Sequence, residues 1–182
     1  MIEDIIDILN GSLTGLHRDE KLYSLAQSVI RKQGTEIELL PGLIDKTGEV
    51  QYVGIDDVST FILYHKLNTL STTAKNNGHG DKPGDLVSTY GLSMIIYWDR
   101  KRLNKMPDEL LMLFHARLPQ LITNIPDVKM TKIKTGNANF SSLQVYNQEY
   151  QGASFNLPPN VNLINLNYTI EMTFNPACLP TC

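Results

Sequence analysis

The stretch Thr73 to Asp85, TAKNNGHGDKPGD, gathers one histidine, two aspartates, two lysines and three glycines into thirteen residues. The imidazole of His79 and the carboxylates of Asp81 and Asp85, joined by His65 upstream, are ligand types that suit a divalent cation, so one chemical reading is a small metal-dependent enzyme. The spacing argues against it. It matches no established ligand pattern, and the intervening glycines and proline favour a long flexible loop over the rigid surroundings that orient metal ligands. A phosphate-binding loop is excluded too, because Lys82 is followed by Pro83 where that motif places Ser or Thr at the start of a helix. Two readings without chemistry remain: a solvated loop, or a loop ordered by a protein partner.

Other chemically capable residues lack the company that catalysis needs. His65 sits in an apolar run, as a half-buried structural histidine does, and His115 follows Phe114 in a helical pattern and covers the core. Asp56 and Asp57 are adjacent, which on a strand sends them to opposite faces; at a turn they serve as helix caps. Lys129, Lys132 and Lys134 read either as a basic patch or as the lysines that keep an edge strand from pairing wrongly. Cys178 and Cys182 stand in CLPTC, open to exposed thiols, a local disulfide or a metal shared with another subunit, since two thiols fall short of the four ligands zinc usually takes. No serine or cysteine has an evident base, and no dinucleotide fingerprint is present. The residues therefore assign no catalytic, cofactor or metal role, and the expected protein is not an enzyme.

The elements that would position these groups follow from composition and periodicity. With 182 residues, 42% hydrophobic and 19% charged, the chain suits one compact domain. A formal net charge of -3 gives no basic face for specific nucleic-acid binding. No apolar run approaches the roughly 18 residues of a membrane span. MIEDIIDILNG carries acids where a secretory signal carries positive charge, which points to folding in a cytosol.

Ile2, Ile5, Ile6 and Leu9 share one face of a helix that Asn10-Gly11 should stop. Leu22, Leu25, Ala26, Val29 and Ile30 form a second helical stripe, with Asp19 and Glu20 before it, Arg31 and Lys32 at its end, and Gly34 closing it. TEIELLPG and GEVQYVGI flank Asp45 to Gly48 as a hairpin. TFILYHKLN reads as a strand, with a helix from Asp56-Asp57 as the competitor. GLSMIIYWDR reads as a central strand covered on both faces. Pro107-Asp108-Glu109 opens a helix with Leu110, Leu111, Phe114 and Leu118 buried, ended or kinked by Pro119. VKMTKIKT is a strand, SSLQVYNQEYQ is ambiguous, and LINLNYTIEMTF alternates strictly, its apolar residues interleaved with Asn165, Asn167, Thr169, Glu171 and Thr173. The expected fold is α+β: a single mainly antiparallel or mixed β-sheet packed by two to three helices.

This order of elements, with the hairpin LLPGLIDKTGEVQYVG, a strand, the long loop, a central strand, the helix MPDELLMLFHARL and a long last strand, resembles bacteriophage tail-completion proteins. These are the tail terminators and related head-tail neck components. The likeness spans residues 1–175, leaving 176–182 as a carboxy-terminal tail; NLPPNVNL and PACLPTC depart from the usual pattern. It implies a structural virion protein assembled in a bacterial host cytoplasm, forming a homo-oligomeric ring, six copies favoured, that meets the tail tube and neck or connector proteins. No cofactor and no membrane partner are implied. On that basis the protein-interaction residues are Asn76, His79, Asp81, Lys82 and Asp85 in the loop, and Asn165, Asn167, Thr169, Glu171 and Thr173 on the polar side of the last strand. A monomeric adaptor using the same strand face is the remaining alternative.

Overall fold

The computed structural model describes residues 2–15, 19–53, 61–75, 84–99, 101, 103, 107–117, 128–139 and 161–174. These form α1 (Ile2–Leu13), β1 (Glu20–Leu25), β2 (Gln27–Gln33), β3 (Glu36–Ile44), β4 (Val50–Tyr52), β5 (Phe61–Ala74), β6 (Leu86–Asp99), α2 (Pro107–Arg117), β7 (Val128–Asn139) and β8 (Val161–Phe174). Five strands build one sheet in the order β1-β5-β6-β8-β7, and three build a second in the order β2-β3-β4. Only β1 and β5 run parallel; the other pairs are antiparallel.

The architecture is thus mainly β, and the expectation of a single sheet packed by two to three helices is corrected. Two short helices and two sheets account for the described elements. The difference lies largely in residues 22–30, where the expected second helix is replaced by β1 and β2, joined through Ala26. A helical stripe needs one core on one side. Here the apolar residues are divided: Leu22 and Leu25 pack toward the helices, whereas Ala26 and Tyr23 belong to the core on the opposite face of the large sheet. Gly34, expected as a helix stop, instead takes φ +62° in the two-residue turn that pairs Gln33 with Glu36, a conformation glycine adopts at little cost.

The first helix is longer than its sequence suggests. Asn10-Gly11 does not stop α1; the helix runs on to Leu13, whose side chain is buried beside Ile5, Ile6 and Leu9. Arg117, at the end of α2, donates from Nη1 to the Ser12 carbonyl at 3.2 Å, supplying a cation and a hydrogen bond where the last turn of α1 leaves carbonyls exposed. α2 buries Leu110 and Phe114, the latter stacked on Phe61 with ring centroids 6.5 Å apart.

The two cores lie on opposite sides of the large sheet. Leu92, Met94, Ile96 and Trp98 of β6 face the helices, while Ile95 and Tyr97 meet the small sheet. β6 is third in the strand order and buried on both faces over 92–98, as its unrelieved apolar run requires. β8 shows the expected period of two: Ile164, Leu166, Tyr168, Ile170, Met172 and Phe174 are all buried on the helix side.

The Asp45 turn joins β3 to β4. The Asp45 carboxylate accepts hydrogen bonds from the Thr47 hydroxyl at 2.6 Å and from the Thr47 and Glu49 amides at 2.8 and 2.9 Å. These bonds, the Thr47 hydroxyl foremost, hold its pKa below the usual carboxylate value. Gly42 meanwhile lets β3 approach its neighbours closely, since a Cβ there would meet Val29 Cγ2 at 2.4 Å and Val50 Cγ1 at 3.2 Å.

Candidate interaction surfaces

Three places combine chemistry with position: a buried polar chain beneath α1, the bare face of the large sheet, and the small sheet where it extends past the cores.

The buried chain is centred on His65, which is fully inaccessible. Asn10 donates from Nδ2 to the Tyr23 carbonyl at 3.0 Å, so its Oδ1 is the atom that meets His65 Nε2 at 2.9 Å. An amide oxygen only accepts, so Nε2 carries the proton. Nδ1 is then the acceptor for the Tyr168 hydroxyl, 2.7 Å away. Every bond has one direction, and together they tie β8, β5, α1 and β1 at a single point. Burial alone pushes the His65 pKa down to about 3 and raises that of Tyr168 above its ordinary value. His65 is therefore neutral and structural.

It also stands far along β5 from Asp85, one of the residues with which the metal reading grouped it. Ten residues of strand, roughly 33 Å, separate it from Lys75, whose amide donates to the Asp85 carbonyl at 2.7 Å. Asp85 thus sits at the base of the β5-β6 hairpin; Asn76, His79, Asp81 and Lys82 lie outside the described residues, as do Asp56, Asp57, Leu118, Pro119, Cys178 and Cys182. Among the described residues no group of three His, Cys, Asp or Glu side chains stands where it would hold a metal ion. No helix among them is long and apolar enough to cross a membrane. His115 is half-buried, its Nδ1 2.8 Å from the Thr135 hydroxyl, and links α2 to β7.

The face of the large sheet opposite the helices, covered by the small sheet at one end and bare beyond it, brings together the alternate residues of β8. Asn165 and Thr173 are buried there, Thr169 and Glu171 half-buried, and Asn167 exposed. Across three strands, Asn68 Nδ2 donates to Ser93 Oγ at 2.7 Å, and Ser93 Oγ donates to Asn167 Oδ1 at 2.8 Å. This relay uses the Asn167 amide oxygen as acceptor, and the residue itself is exposed. Beside it a shallow cavity of about 220 Å³ opens over Gly91 and Gly136, with Thr69, Lys134 and Thr169 at its rim. Among the described residues β7 is the outermost strand on this side, where its lysines suit an edge.

The small sheet is the surface that sequence reasoning missed. Its end near Pro41 and Val53 is buried against the large sheet, but Ile30 is 58% exposed and Ile37 61%. The strand register places both on one face, since Ile30 pairs with Leu39 and Lys32 with Ile37. On the other face Ile44, Val50 and Tyr52 are also exposed, with the Arg31 guanidinium 5.8 Å from the Tyr52 ring centroid. The available signal was Gly34-Thr35 between two β-branched runs, a two-residue hairpin turn. Comparison with family models and with curated proteins finds no match.

Proposed function

We propose that this chain is a structural subunit of a bacteriophage virion that joins copies of itself into a closed ring at the tail end or head-tail junction, as tail terminators and tail-completion proteins do. The observation that carries this reading is the small sheet, which presents Ile30 and Ile37 on one face and Ile44, Val50 and Tyr52 on the other. Single exposed apolar residues are ordinary, but five large ones shared between the two faces of one small sheet suit a surface that a neighbour covers. The bare face of the large sheet is of a different character, with amides, hydroxyls and lysines. Two unlike surfaces on one subunit suit heterologous contacts, which close into rings when the rotation between neighbours permits. Six copies, the virion as location, and the tail tube and connector as neighbours follow from the family resemblance.

Sedimentation velocity of the purified chain over a wide concentration range tests the reading. One discrete species at a fixed multiple of the chain mass is expected. A chain that stays monomeric throughout would remove the basis for a ring.

A further inference from the structure

The two lateral margins of the large sheet differ in charge balance: at the α1 and β1 margin exposed acids outnumber the exposed Lys21, and at the β7 margin two exposed lysines outnumber the half-buried Glu171 that pairs with Lys132. α1 lies over edge strand β1, bound to it through Asn10 and the Tyr23 carbonyl, and contains Glu3, Asp4 and Asp7 with no lysine or arginine. All three acids are exposed. β7, the strand at the other edge, contains Lys129, Lys132 and Lys134 with no acid. Lys132 and Lys134 are exposed and lie opposite Glu171 and Thr169 of β8, hence on the bare face rather than the helix face.

Four strand spacings, roughly 19 Å, separate the margins. They also face opposite ways, one on the helix layer and one on the bare side.

We infer that the acidic surface of α1 in one copy docks on the basic β7 margin of a second copy, so that subunits overlap like shingles. The inference rests on the ring reading above and names the contact that sets its direction. Charge complementarity points to another copy as the occupant: the chain itself supplies a helix with three exposed acids and a margin with two exposed lysines. The cavity beside Lys134 fits the same assignment. The Asn167 amino group and the Lys134 ammonium are donors, as a carboxylate from Glu3 or Asp7 requires. A two-fold pairing is disfavoured, because acid and base lie on opposite faces and one flat isologous contact cannot include both. Exposed ion pairs are individually weak, so their role is to steer encounter and fix register, with strong dependence on salt.

Charge reversal in the full chain tests this. K132E/K134E makes both margins acidic, and E3K/D7K makes both basic; each variant alone is expected to self-associate at least about tenfold more weakly at low salt. Mixed together they should associate with each other, and the fourfold variant carrying all changes should regain self-association. Thermal melts of each variant show that the subunit itself still folds, and E3Q/D7N should weaken association without reversing it. Reversed variants that fold and assemble as well as the unmodified chain, with no rescue on mixing, would overturn the shingled contact while leaving the ring reading in place. An unmodified chain that never associates would instead defeat the ring reading itself.

Discussion

His65→Ala is expected to lower the stability of the fold by about 4 kcal/mol at pH 7, the sum of an emptied core site and two buried groups left without a partner. The Tyr168 hydroxyl and Asn10 Oδ1 both bond to the imidazole, and all three residues are buried. Burial has lowered the His65 pKa from 6.5 to about 3, so between these values the unfolded chain binds a proton that the folded one refuses. Stability is then fully present above pH 6.5 and falls as pH drops toward 3, by about 1.4 kcal/mol per pH unit. Urea titrations at pH 6.5 and pH 5 should differ by about 2 kcal/mol for the unmodified chain and by much less for the variant. Equal losses in both proteins would show that His65 is not the group responsible. Because the chain of bonds passes through Asn10, α1 is the element that acid should loosen first; amide exchange in α1 rising before that in β6 is the matching sign.

The second large effect concerns assembly. Ile30→Lys with Ile37→Lys should weaken self-association by about a hundredfold while leaving the monomer's stability within about 0.5 kcal/mol. Each isoleucine is more than half exposed, so covering the rest of both is worth about 3 kcal/mol. Lysine forfeits that gain and adds a charge that a dry contact cannot accommodate. The hairpin should persist, since Gly34 and the Gln33 to Glu36 pairing are untouched. Light scattering compares the two chains. Unchanged association in a folded variant would show that this sheet contacts something other than a second copy.

Elements whose environment is written in neighbouring residues were legible. The alternation of β8 and the unrelieved apolar run of β6 each follow from the faces they present, and the Asp45 to Gly48 turn announces the β3-β4 hairpin. Residues 22–30 misled because their spacing fits a helix, while the forces that make them strands are non-local. β1 pairs with β5 some forty residues away, and β2 draws its register from β3. Local periodicity contains neither partner. The same limit explains Asn10. As part of Asn10-Gly11 it reads as a stop, yet its amide is held inside the helix by His65 and the Tyr23 carbonyl, both brought there by the sheet. The polar side of β8 was visible as a pattern; its continuity with Asn68, Ser93 and Lys134 depends on strand order.

On the function we propose, the chain acts by assembling, with its small sheet and charged margins covered by neighbours. Cryo-electron microscopy of the purified, associated protein tests it most directly. A closed ring is expected, in which each copy buries Ile30 and Ile37 and sets Glu3 and Asp7 against Lys132 and Lys134 of the next. Particles of single subunits, with those four charged residues and both isoleucines open to solvent, would contradict it.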